Sequence, residues 1–142
     1  MVTLALYKRR RWHDLGGALI RWWTNSPYSH CEIVSDGKWY SSSIRDGGVR
    51  EKVIDDNPDY WDFVPVPWVK DSQVFLYYVR TCREEYGWKD LILRQFFNKR
   101  GNSRGAFCSE WCAAALGLSS AETYSPHILW EYCKVRQNDT ER

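Results

Sequence analysis

Hydrophobic and polar positions along this chain alternate in steps of two through much of the first half and recur at helical spacing through most of the second. Residues 2–7 read as a first strand. Residues 12–24 carry Leu15, Leu19, Trp22 and Trp23 at helical spacing and stop before the turn signal Asn25-Ser26-Pro27. Alternation resumes over residues 30–35, Asp36-Gly37 turns the chain, and residues 38–43 run back, a strong hairpin cue. A second break at Asp46-Gly47-Gly48 precedes residues 49–54, completing a three-strand meander. Residues 62–67 read as a further strand, placed at a sheet edge by Pro65 and Pro67.

Beyond that point the period becomes helical. Helices are expected over residues 72–86 and 88–97, followed by a polar, glycine-bearing loop at 98–105. An alanine-rich helix over 107–116 stops at Gly117. Ser125-Pro126 then opens a last short helix to about residue 133, with 137–142 a frayed tail. Strands first and helices second predict an α+β fold, an antiparallel sheet with helices packed on one face. The absence of repeats or low-complexity linkers predicts one domain over residues 1–142.

Composition adds limits more than it adds identity. Net charge is +2, so nothing compels a nucleic-acid partner, and the short Lys8-Arg9-Arg10-Arg11 cluster is explained about as well by a solvated strand end, the preferred reading, as by an anionic ligand. Five cysteines form an odd set without disulfide-like spacing, and Met1-Val2-Thr3-Leu4 has no signal-peptide pattern. Synthesis in a reducing cytoplasm is therefore expected, with thiols mostly free. No apolar run approaches the roughly 18 residues of a membrane span, so no transmembrane segment is expected. Nine Trp and nine Tyr are many for 142 residues, and Trp22, Trp23, Trp39 and Trp111 are candidates either for groove walls or for core.

The chemistry concentrates at Cys108, in the first turn of the alanine-rich helix, where unpaired N–H groups and the helix dipole favour a thiolate. The alternative is a buried small hydrophobe, the reading preferred for Cys112 in the helix interior. His30 at the start of the alternating run is the candidate base, and Glu32 lies on its face of the strand. Ser41, Ser42 and Ser43 on the return strand offer hydroxyls for the far imidazole nitrogen, with Ser42 the choice among them. His13 and His127 read as capping or surface residues. A mixed zinc site from Cys108, Cys112, His127 and Cys133 was the competing use of the same thiols, disfavoured because two of them share one regular helix.

At these residues a family resemblance becomes specific. Tyr28-Ser29-His30-Cys31-Glu32-Ile33-Val34, the stretch from Ser41 to Arg50, and Phe107-Cys108-Ser109-Glu110 with its alanine helix resemble the circularly permuted NlpC-type branch of papain-like cysteine hydrolases. That branch includes YiiX-like proteins and lecithin retinol acyltransferase relatives, and the closest flavour is that of small phage and prophage proteins. The resemblance implies a permuted papain-like fold with Cys108 as nucleophile, His30 as base, and Glu32 or Ser42 as the third polar group. It implies no cofactor and no metal. The expected substrate is an amide or peptide bond, with cell-wall stem peptides leading and lipid esters or thioesters open. A non-enzymatic protein of the virion or the host interface, partnered by other phage proteins, is the alternative from another class. Cys31 departs from the aliphatic residue usual after the histidine, and alternation is expected to point it to the opposite face of the strand.

Overall fold

Alternating residues become strands because one face of each can be buried while the backbone pairs laterally. In the computed structural model, which describes residues 1–8, 27–43, 46, 48–82 and 106–140, five strands form one antiparallel sheet. They are β1 (Thr3–Tyr7), β2 (His30–Ser35), β3 (Lys38–Ser43), β4 (Gly48–Lys52) and β5 (Trp61–Pro65), in the spatial order β4-β3-β2-β1-β5. The β2–β3 hairpin turns at Asp36 and Gly37, both with positive φ (51° and 73°), as a two-residue primed turn requires. The strand carrying Pro65 is an edge strand, pairing with β1 alone. β4 begins a residue earlier than its pattern and ends two earlier, because pairing with β3 runs only from Ser43↔Gly48 to Trp39↔Lys52.

Three α-helices are described: α1 (Asp71–Cys82), α2 (Ala106–Ala115) and α3 (Pro126–Thr140), with a short 3-10 turn at Ala121–Thr123. The predicted helices at 12–24 and 88–97, the loop at 98–105, and residues 83–86 lie outside the described residues, as do His13, Trp22 and Trp23. One face of the sheet, through Leu4, Leu6, Cys31, Ile33 and Val64, shares a core with Val74 of α1, Trp111 and Cys112 of α2, and Leu129 and Cys133 of α3. The other face gathers a separate aromatic cluster around Ala5, Trp39 and Trp61. Trp39 and Trp111 are thus core residues of two different faces, with relative exposures of 3% and 0%, and not groove walls.

Helix α2 ends as its sequence requires. Gly117 adopts φ +78°, its N–H donates to Ala114 O (2.9 Å) and the Leu118 N–H to Ala113 O (3.0 Å), closing the helix with a Schellman pair. The last helix differs from expectation. It runs unbroken to Thr140, well into the segment read as a frayed tail, since no glycine or proline stops it. The Arg136 guanidinium donates to Tyr132 Oη (2.9 Å) and stacks over the Trp68 ring at 4.7 Å, holding its C-terminal half.

Trp111 fixes how α2 meets α1. Its indole Nε1–H donates to Thr81 Oγ1 (3.0 Å), whose hydroxyl in turn donates to Tyr77 O (2.9 Å). Thr81→Val keeps the shape but removes the acceptor, stranding a buried donor. A loss of about 1–3 kcal/mol in denaturant unfolding is expected. A change within about 0.5 kcal/mol, typical of an inert surface site, would show the indole to be indifferent to its partner.

Candidate functional site

The site forms where the first turn of α2 lies over the start of β2. Cys108 is the third residue of α2, in its first turn, where the helix dipole is positive. His30 is the first residue of β2, reached from Pro27 and Tyr28, and its strand is flanked by β1 and β3. The Tyr28 hydroxyl donates to Asp62 Oδ2 (2.7 Å) while Lys8 Nζ bonds Asp62 Oδ1 (2.6 Å), which fastens the approach to His30 onto β5.

A carboxylate and a sulfur act on the imidazole. Its Nε2 lies 2.7 Å from Glu32 Oε1, and the Cys108 sulfur is near enough to act on the charge of the ring. Glu32, only 1% exposed, is clamped by Arg50 through both guanidinium arms, with Nη1 donating to Oε2 at 2.6 Å and Nη2 donating to Oε1. Arg50 is itself tied through Nε to Asp46 Oδ2 (2.8 Å), and Lys52 bonds the other oxygen of Asp46. A line of alternating charge therefore runs from the helix mouth outward: Cys108, His30, Glu32, Arg50, Asp46, Lys52.

This arrangement favours separated charge. Burial alone disfavours an imidazolium, but the Cys108 sulfur and the Glu32 carboxylate outweigh it and hold the His30 pKa up to about 10. For Cys108 the direction is opposite. A hydrogen bond from Cys31 and the charge of His30 bring the thiol well below its usual range despite burial. Burial works against the charge of Glu32, yet the bonds from His30 and Arg50 keep it below the normal carboxylate range. Both shifts run toward thiolate and imidazolium, the form in which a cysteine attacks and a histidine donates.

Ser42 takes no part in holding the ring. Its hydroxyl is buried and has no hydrogen-bond partner among the described residues, whereas imidazole Nε2 is taken by Glu32. The reason is parity: Ser42 pairs with Val49, which packs against the helix-side core, while Arg50, one residue on, pairs with Ser41 and reaches Glu32. Ser41 instead donates to Cys31 O at 2.8 Å. Arg50 is the residue that sequence reasoning missed. Its only signal was a place within the family-like stretch from Ser41 to Arg50.

Cys31 points, as alternation predicts, to the face opposite Glu32; that face is the one α2 covers, so Cys31 shares its core with Cys108 and Cys112. Cys112 Sγ further approaches Cys31 O at 3.8 Å. His127 lies on α3 with Nε2 3.3 Å from Glu131 Oε1 and its ring stacked on Trp130. Among the described residues no group of three or more His, Cys, Asp or Glu side chains is disposed to hold a metal ion. No described helix is long and apolar enough to cross a membrane.

No protein-family model, no curated protein and no solved structure matches this chain. The class that the fold and site define is an α+β protein with a Cys–His pair on which a buried carboxylate acts.

Proposed function

We propose that this chain is a cysteine hydrolase of the permuted papain-like kind, acting on amide or peptide bonds through an acyl-enzyme. One observation carries the reading: the His30 ring is held by Glu32 Oε1 at 2.7 Å, and the Cys108 sulfur is near enough to act on its charge. A structural histidine has no need of a nucleophile and an orienting carboxylate at once, whereas acyl transfer requires both.

In this reading the Cys108 thiolate attacks the carbonyl carbon, and the Cys108 backbone N–H at the mouth of α2 donates to the oxyanion. As the tetrahedral adduct collapses, His30 gives its proton to the departing amine, leaving a thioester on Cys108. Neutral His30 then takes a proton from water, hydroxide adds to the thioester, and the acid leaves as the thiolate and imidazolium are restored. Glu32 holds the ring in place and stabilises its charge throughout, while Arg50 keeps Glu32 ionised. Cell-wall stem peptides, processed by a phage-encoded enzyme, are the leading substrate on the resemblance of the His30, Ser41-to-Arg50 and Cys108 segments to permuted NlpC-type hydrolases.

The test is digestion of purified peptidoglycan and of its soluble stem peptides across pH, with products read by mass spectrometry. Turnover should already be established well below the free-thiol pKa of about 8.5, because Cys108 ionises early. It should fall only as pH rises through about 10, where His30 loses the proton that the leaving amine needs. A profile rising with a free-thiol midpoint, or cleavage that persists in Cys108→Ala, contradicts the proposal.

A further inference from the structure

Glu32 of β2 and Arg50 of β4 are separated by a whole strand, β3. The residue that Arg50 crosses is its register partner Ser41, whose short side chain is turned to Cys31 O, donating at 2.8 Å. A side chain that reaches so far is rich in rotamers, and contact at its tip alone does not fix the plane of its fork. A guanidinium can meet a carboxylate end-on, through both Nη atoms, or side-on, through Nε and one Nη. Here it meets Glu32 end-on, with Nη1 2.6 Å from Oε2 and Nη2 on Oε1, and Nε is turned to a different acceptor, Asp46 Oδ2 at 2.8 Å.

Asp46 is itself fixed at three points. Its N–H donates to Ser43 O at 3.2 Å, at the end of β3. Lys52, two residues beyond Arg50 and on the same face of β4, takes its Oδ1, while Arg50 takes its Oδ2. Both carboxylate oxygens are therefore engaged, and the plane in which Arg50 Nε must lie is set from the sheet edge.

We propose that Asp46 is a positioning residue for the base: by holding Arg50 Nε it selects the end-on docking on Glu32, and that docking keeps Oε1 where it meets His30 Nε2 at 2.7 Å. This rests on the hydrolase reading and deepens it with a residue that touches neither ring nor sulfur. With Nε released, the guanidinium can turn its side edge to Glu32, the carboxylate follows it, and Oε1 leaves the line of the imidazole nitrogen. Among the described residues His30 is faced by Glu32 from its own strand, by Cys108 from α2 and by its register partner Tyr7 on β1. A substitution at residue 46 alters none of these groups, so its effect on the ring passes through Arg50.

The test follows the ring nitrogens of His30 by heteronuclear NMR, assigned by comparison with His30→Ala, from about pH 5 to about pH 11 in the native protein, Asp46→Ala and Asp46→Asn. Native His30 should hold both ring protons through neutral pH and titrate near about 10. In Asp46→Ala the midpoint should fall by about one unit, an about tenfold weaker hold on the proton that the leaving amine needs. Asparagine keeps an acceptor for Nε and lacks the charge, so Asp46→Asn should recover most of the fall, which loss of a nearby negative charge would not allow. Unfolding midpoints near the native one verify that both variants fold. A midpoint unmoved in Asp46→Ala, or lowered equally in Asp46→Asn, overturns the role of Asp46 and leaves the hydrolase reading intact. A native ring that titrates near the ordinary histidine value of about 6.5 overturns both.

Discussion

Cys108→Ala and His30→Ala are each expected to lower turnover by about 10⁴-fold or more, and the double variant to do scarcely worse than either. The two side chains act as a unit: without the sulfur there is no acyl-enzyme, and without the ring the thiolate loses its counter-ion and the amine its proton donor. Mutations in a unit of this kind are grossly non-additive. Steady-state cleavage of the preferred stem peptide by the three variants provides the measurement. Folding has to survive for it to count. Cys108→Ala removes a small side chain and a buried charge, and circular dichroism with an unfolding midpoint near the native one should verify this. A loss in His30→Ala of only about tenfold would demote the histidine from donor to neighbour.

The largest effect on stability is expected from Arg50→Ala. Glu32 is 1% exposed and ionised, and the guanidinium supplies two of the bonds that make this tolerable, one of them 2.6 Å long. Removing one partner of a buried pair leaves an uncompensated charge, which costs about 3–5 kcal/mol. His30 remains as a second partner and places the loss at the lower end of that range. Glu32→Gln in the Arg50→Ala background should recover part of the stability, since the amide removes the stranded charge while keeping an acceptor for His30. Denaturant unfolding of native, Arg50→Ala and double-variant protein measures this. An Arg50→Ala loss below about 1 kcal/mol, the range of exposed ion pairs, would mean that Glu32 reaches water or another cation.

The parts of this molecule that were legible in one dimension are those set by local period. The His30, Cys31, Glu32 alternation separates the carboxylate from the intervening thiol and puts Glu32 on the face of the base, and Asp36-Gly37 announces a two-residue hairpin. Gly117 marks the end of α2 because its backbone needs positive φ there. What local pattern does not contain is which strand lies beside which, and which sheet face the helices cover. Arg50 reaches Glu32 across β3 only because Ser41 pairs with it, a fact of register between two strands. Ser42 and Ser41 differ by one position and thus by an entire face, so a choice among adjacent serines had no local basis. Cys31 was correctly turned from Glu32, but the covered face could not be known, and that face brings it to Cys108. The end of α3 was missed because its support, the Arg136–Trp68 stack, spans most of the second half of the chain.

The ion pair at the centre of the site is open to direct observation through the ultraviolet absorbance of the thiolate. Subtracting a titration of Cys108→Ser from that of the native protein, from about pH 4 to about pH 9, isolates one thiol among five. The difference signal is expected to be present already in the acidic part of that range and to collapse toward ordinary thiol behaviour in His30→Ala. A difference that first grows in near the free-thiol value of about 8.5, equally with and without the imidazole, would mean that Cys108 is a buried neutral thiol and no nucleophile.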